Sequence, residues 1–204
     1  MSFSTRWRAE PAFAAWIVLA LLAAGPQPSL ANTHEHAALA VPAAPRSGPH
    51  PQLSGSRLLG EANLRYWGLR IYIARLWTLP SFRADQLAEH PLVLELEYQR
   101  DLKGGAIAER SLTEMRRAGP IPEPQAQRWL AQMQRIFPDV QAGDRLTGQH
   151  QPGQGATFWH NGRMVGRIDE PEFSGRFFGI WLAPTTSQPD LRTALLGLNP
   201  SPER

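Results

Sequence analysis

Along one short stretch, Leu92, Leu94, Leu96 and Tyr98 alternate with Glu95, Glu97 and Gln99. Successive side chains on a strand point to opposite faces, so this period of two makes a β-strand with one apolar and one polar face. An antiparallel sheet covered on one side accommodates such a strand. The remaining chain supplies its partners. Leu64–Trp77 (LRYWGLRIYIARLW) is aromatic and β-branched and reads as one strand with Gly68 inside it, where a bulge or a close backbone approach is expected. On that reading Arg65 and Arg70 lie on opposite faces by parity. Arg145–His150, Ala156–His160 and Arg163–Ile168 read as three more strands. Asn161-Gly162 between the last two is a type I′ hairpin signal.

Helical patterns fall between and after the strands. Ala108–Ala118 carries Leu112 and Met115 and stops at Gly119-Pro120. Pro124–Phe137 places Trp129, Leu130, Met133, Ile136 and Phe137 on one face. Pro171–Trp181 has Phe173, Phe177, Phe178 and Trp181 in helical phase, and Pro189–Leu196 closes at Gly197. Strands, helices, strands, helices is an α+β order: a mainly antiparallel sheet with helices on one face.

The chain has 204 residues, of which 42% are hydrophobic and 19% charged, a globular balance that argues against wholesale disorder. It contains no cysteine, which excludes disulfides, thiolate metal sites, a cysteine nucleophile and a lipid anchor on cysteine. The net charge is +3, carried almost wholly by arginine, with Lys103 the single lysine. These cations are scattered among acidic residues rather than gathered in a stripe, which argues against nucleic acid as a partner.

The first residues read as a leader. Arg6 and Arg8 precede an apolar run, Ala12–Ala24, and Ser29-Leu30-Ala31 offers small residues for cleavage after Ala31. The run is too short to span a bilayer, which takes about 20 apolar residues. The expected product is periplasmic or secreted and meets the membrane only during export. The expected organisation is a signal peptide over 1–31, a flexible Ala/Pro/His-rich lead-in over 32–52, one domain over 53–197 and a frayed tail over 198–204.

Taken together, Gly60–Trp77, Leu94–Met115, Phe137–Gly148, Phe158–Ile168 and Phe173–Gly197 resemble the chalcone isomerase-like family, in its bacterial exported branch. The resemblance spans the whole domain in order. It implies an open-faced β-sandwich, a long antiparallel sheet packed on a helical layer, with a cleft between the layers that can hold an apolar ligand. Plant members of the family cyclise chalcones with an arginine, a threonine, a tyrosine and an asparagine, which fix a cation and hydrogen-bond donors against a developing oxyanion. Carried onto this chain with the strand aligned on Tyr72, the threonine falls at Trp67 and the arginine near Leu64 or Arg65, with Arg57 a looser match. The tyrosine falls at Ile107 and the asparagine at Glu114. The three polar partners are not retained, so chalcone isomerisation is not expected.

The resemblance implies a protein that binds a small apolar, fatty-acid-like ligand without catalysis and without a cofactor. Arg65 is the candidate for a carboxylate head group, by the bidentate pairing arginine favours. Trp67, Tyr72 and Tyr98 are the candidate lining. Two other classes stay open: an isomerase or intramolecular lyase on an aromatic or enone substrate, and an interaction module whose cleft has closed, with its protein partner unknown. Glu95 and Glu97 share a face but read as a solvated strand face rather than an acid/base pair. Asp139, Asp144 and Asp169 read as turn residues. His150 and His160 fall in neighbouring strands without a third ligand at a recognisable spacing. Gly153-Gln154-Gly155 lacks the helix that a phosphate loop needs. Cleavage after Ala31 would leave Asn32-Thr33-His34 at the N-terminus. There an amine, two amides and the His34 imidazole make a square nitrogen set for Cu(II) or Ni(II), with His36 nearby.

Overall fold

Six strands form one sheet in the order in which they occur in the chain, each antiparallel to the next, in the computed structural model that describes residues 48 and 50–198. They are β1 (Arg57–Tyr66), β2 (Leu69–Thr78), β3 (Leu92–Tyr98), β4 (Arg145–Gln151), β5 (Gly155–His160) and β6 (Arg163–Ile168). Helices α1 (Gly104–Met115) and α2 (Glu123–Ile136) are inserted between β3 and β4, which nonetheless pair along their length, from Leu92 opposite His150 to Glu97 opposite Arg145. Helices α3 (Pro171–Leu182) and α4 (Pro189–Leu195) follow the last strand. This is the α+β sheet-and-helix architecture expected from the pattern of the chain.

The helices share one face of the sheet. α4 lies against β1, α3 against β4 and β5, and α2 against β6, while α1 packs on α2 and α3. The alternation in β3 decides which side chains meet them. Leu94 and Leu96 join Leu76, Ala74, Leu146, Phe158, Phe177 and Phe178 in one buried cluster. Burial of that much apolar surface, at about 25 cal/mol per Å², is the main force holding the helical layer down. α1 begins at Gly104, four residues earlier than the helical period requires, because a distant side chain supplies its cap: the Gly104 N–H donates to Asp139 Oδ1 at 3.0 Å. Asp139 therefore caps a helix rather than its own turn.

The stretch Leu64–Trp77 is not one strand. Trp67 and Gly68 take φ of 50° and 79° and reverse the chain between β1 and β2. Both residues in the left-handed region is what a two-residue type I′ turn requires. The usual signal for such a turn is Asn-Gly, which this chain uses at Asn161-Gly162 with φ of 50° and 83°. A tryptophan in the first position conceals the second hairpin. The reversal also corrects the parity argument. Arg65 and Arg70 belong to different strands and pair directly, after a register shift between Leu64 and Arg65. Directly opposed residues share a face, so the two arginines are side by side.

The other face of the sheet is not simply solvated. His50 packs edge-on against Trp77 with ring centroids 4.8 Å apart, and Gln149 donates to the Gln52 carbonyl at 2.6 Å. Beneath this cover Glu95 is only 3% exposed. The solvated-face reading of Glu95 fails for a long-range reason: His50 lies over it, and Arg75 and Arg145 approach its Oε1 at 3.6 and 3.9 Å. Glu97 is ion-paired with the same two arginines at 2.8 and 3.1 Å.

Candidate functional site

The sheet–helix interior holds a small void, walled by Leu94 and Leu96 of β3, Leu146 and Gly148 of β4, Phe158 of β5, and Phe177, Phe178 and Trp181 of α3. Its free volume is about 10 Å³, room for about one water. The local sequence explains the shape. Phe177, Phe178 and Trp181 fall on the sheet-facing side of α3 by helical phase, and their rings interlock, Phe177 with Phe178 and with Trp181 at 5.4 Å. Gly148 makes space for them: a Cβ there would sit 3.1 Å from Phe178 Cζ and 3.4 Å from Phe158 Cε1. None of these eight residues carries an ionisable side chain.

A polar cap stands next to this apolar wall. Trp181 donates its indole N–H to the Tyr72 hydroxyl oxygen at 2.9 Å. Tyr72 faces Tyr98 across the β2–β3 pair with rings 6.0 Å apart and nearly perpendicular. Burial, the largest influence, pushes the Tyr72 pKa up to about 12. The Glu114 carboxylate acts in the same direction, while the Trp181 hydrogen bond and Arg110 oppose it. Burial also pushes Tyr98 well above the ordinary phenol value. Both phenols are therefore neutral at physiological pH.

Glu114 is the ionisable member of the cap. It lies on α1 at 8% exposure and pairs with Arg110 one turn back. Its Oε2 has no hydrogen-bond partner among the described residues and lies 3.7 Å from Arg117 Nε. The carboxylate is thus flanked by two arginines, Arg110 at Oε1 and Arg117 near Oε2. The resemblance placed Glu114 at the asparagine position of the plant enzymes, and it does stand beside Tyr72. Ile107, at the tyrosine position, is packed into the core and offers no polar group.

The four candidate ligand residues separate into two groups. Tyr72 and Tyr98 meet in the cap. Arg65 and Trp67 belong to the β1–β2 hairpin, both exposed, with Trp67 at 73%. Arg57 is exposed at the far end of β1, opposite Thr78. Sequence reasoning missed Trp181 and Gly148. The helical phase of α3 marked Trp181 as core, but its hydroxyl partner is 109 residues away. Gly148 sits in a polar-looking strand and gave no signal.

The described histidines are not gathered into a metal site. Among the described residues no group of three or more His, Cys, Asp or Glu side chains is placed to hold a metal ion. His150 is buried between Ser174 Oγ, 2.6 Å from Nδ1, and the Ala88 carbonyl, 3.3 Å from Nε2. A carbonyl only accepts, so Nε2 carries the proton and Nδ1 accepts from the Ser174 hydroxyl. Desolvation lowers the His150 pKa. His160 lies 3.3 Å from Asp144. His34 and His36, together with the leader, lie outside the described residues.

Residues 63–197 match a family described as chalcone isomerase-like. An uncharacterized protein of Haemophilus influenzae is 31% identical over 139 residues, which is 68% of this chain and 67% of that protein. Among solved structures, the fold is similar to that of a fatty-acid binding protein of Arabidopsis thaliana, with a TM-score of 0.54 and 11% identity over 74% of this chain and 89% of that one.

Proposed function

The chain belongs to the chalcone isomerase-like family, and from that premise we propose that it is a non-catalytic member that binds a small apolar, fatty-acid-like ligand between its sheet and its helices. One observation carries the reading: the void at the centre of that layer is walled by eight residues of which none can give or take a proton. A proton-transfer enzyme needs such a group within hydrogen-bond reach of its substrate. The neighbouring Tyr72 is held neutral, and its hydroxyl oxygen already accepts from Trp181. The name of the Arabidopsis structure adds support of the same kind.

The apolar tail is assigned to the void. Pockets for small molecules commonly measure some hundreds of Å³ (about 300 to 1,000), so Phe177, Phe178 and Trp181 must swing aside to admit a chain. The polar end is assigned to the cap, where Tyr72 offers a hydroxyl and Arg110 and Arg117 are 47% and 40% exposed beside Glu114. The setting we propose is outside the cytoplasm, on the strength of the Ala12–Ala24 run and the small residues at Ser29 and Ala31.

The small volume of the void favours a second reading, an interaction module with a permanently closed cleft. Titration of the protein with a long-chain fatty acid, read by native mass spectrometry, separates the two. A saturable one-to-one adduct that Gly148→Leu abolishes supports binding in the layer. A mass unchanged at saturating fatty acid supports the closed module.

A further inference from the structure

The hairpin between β1 and β2 ends in an apolar tip flanked by cations. Trp67 is 73% exposed and Leu69 52%, and Tyr66 stacks on Trp67 with ring centroids 6.0 Å apart at 17°. Arg65 and Arg70 are directly opposed behind the turn, and neither has an ion-pair partner among the described residues. Like charges placed opposite each other across a strand pair are unfavourable, and no Asp or Glu occurs from Leu64 to Ile73 to relieve them.

The backbone adds an independent argument. A bulky side chain at φ of 50° is rare and costly. The same chain places asparagine in the equivalent position of its other type I′ turn, Asn161-Gly162. At Trp67 it places the largest aromatic residue instead, and leaves it in solvent. Folding gains nothing from that choice, since the indole covers no core.

We propose that this tip is a docking element for anionic phospholipid surfaces, with Trp67 and Leu69 entering the headgroup layer and Arg65 and Arg70 meeting lipid phosphates. Tryptophan favours the membrane–water interface, and arginine side chains close to an anionic leaflet each strengthen binding. A projecting turn with cations behind its apolar apex suits a yielding surface better than a protein groove. The sequence reading confined membrane contact to export, whereas this tip gives the folded domain a reversible contact of its own. The inference does not depend on the ligand reading above.

The test is sedimentation of the purified protein with sucrose-loaded vesicles of phosphatidylglycerol and phosphatidylethanolamine, against vesicles of phosphatidylcholine, at low salt. The wild type should partition onto the anionic vesicles and be released by salt, because the attraction is screened. Arg65→Gln with Arg70→Gln should weaken partitioning about twenty-five-fold, at about fivefold per arginine. Trp67→Asn is the decisive variant. It installs the residue the turn prefers, so the domain should fold at least as well, yet lipid binding should fall about tenfold or more. Wild-type protein left in the supernatant with anionic vesicles overturns the proposal, as does undiminished binding by Trp67→Asn. A Trp67-dependent dimer by light scattering without vesicle binding also overturns it, in favour of a second copy of the chain.

Discussion

Trp181 and Tyr72 are joined by a 2.9 Å hydrogen bond from the indole N–H to the phenolic oxygen, and this bond ties α3 to β2 at the mouth of the apolar layer. It is the point at which the aromatic wall of the void meets the polar cap. Opening the layer to a ligand chain must move Trp181, so the bond also acts as a latch on the closed state.

Removing the acceptor should therefore loosen the layer. Tyr72→Phe leaves the Trp181 N–H without its partner in a mostly buried place, at a cost of about 1 to 3 kcal/mol. Trp181→Phe with Tyr72→Phe should cost less than the sum of the two single changes, because both remove the same bond. Urea denaturation of the three variants measures this. Additive losses would show that the bond contributes nothing.

Gly148 should control the void. Its missing Cβ would stand 3.1 Å from Phe178 Cζ, closer than an ordinary contact but within reach of a small ring shift. Gly148→Ala should be tolerated, whereas Gly148→Leu overfills the site and should destabilise the fold by about 1 to 3 kcal/mol. Thermal unfolding of both variants checks the order.

Stability should fall as pH drops below the ordinary histidine value of 6.5. Desolvation holds His150 neutral in the folded state, so the unfolded chain binds the proton first. The loss begins near 6.5 and continues down to the lowered folded value. The side chains whose carboxyls are held low, Asp139 and Asp144 among them, begin to contribute only at more acid pH. His150→Gln should flatten the difference between pH 7 and pH 5 in denaturant midpoints. An unchanged slope would remove His150 as its source.

Processing of the leader should follow Ala31. Protein recovered from an exporting host should begin at Asn32 by intact mass, and Cu(II) added to it should give a visible d–d band from the Asn32-Thr33-His34 set. An intact Met1 would end both expectations.

Much of the architecture was legible because it rests on local periodicity. The strand over Leu92–Tyr98, the Asn161-Gly162 turn and the helix that carries Trp129 to Ile136 each report on a few neighbouring residues, and each forms as expected. What escaped was long-range or disguised. The Trp67-Gly68 turn lacks the small polar residue that announces such reversals, so two strands read as one. The burial of Glu95 depends on His50, Arg75 and Arg145, which reach it from three other parts of the chain. The candidate site divided for the same reason. In the sequence Tyr72 and Tyr98 are only aromatics of two strands, and the β2–β3 pairing shows that they meet, while Glu114 reads as a lost polar partner and its place beside Tyr72 needed the packed helix. Trp181 needed the packed helix to show its partner.

Gentle native mass spectrometry of the protein as purified, followed by solvent extraction, shows whether a ligand is held between sheet and helices. A stoichiometric apolar adduct in the fatty-acid class is expected, retained by Trp67→Asn and lost in Gly148→Leu. A clean mass that added fatty acid leaves unchanged would contradict it and leave the layer as a closed core.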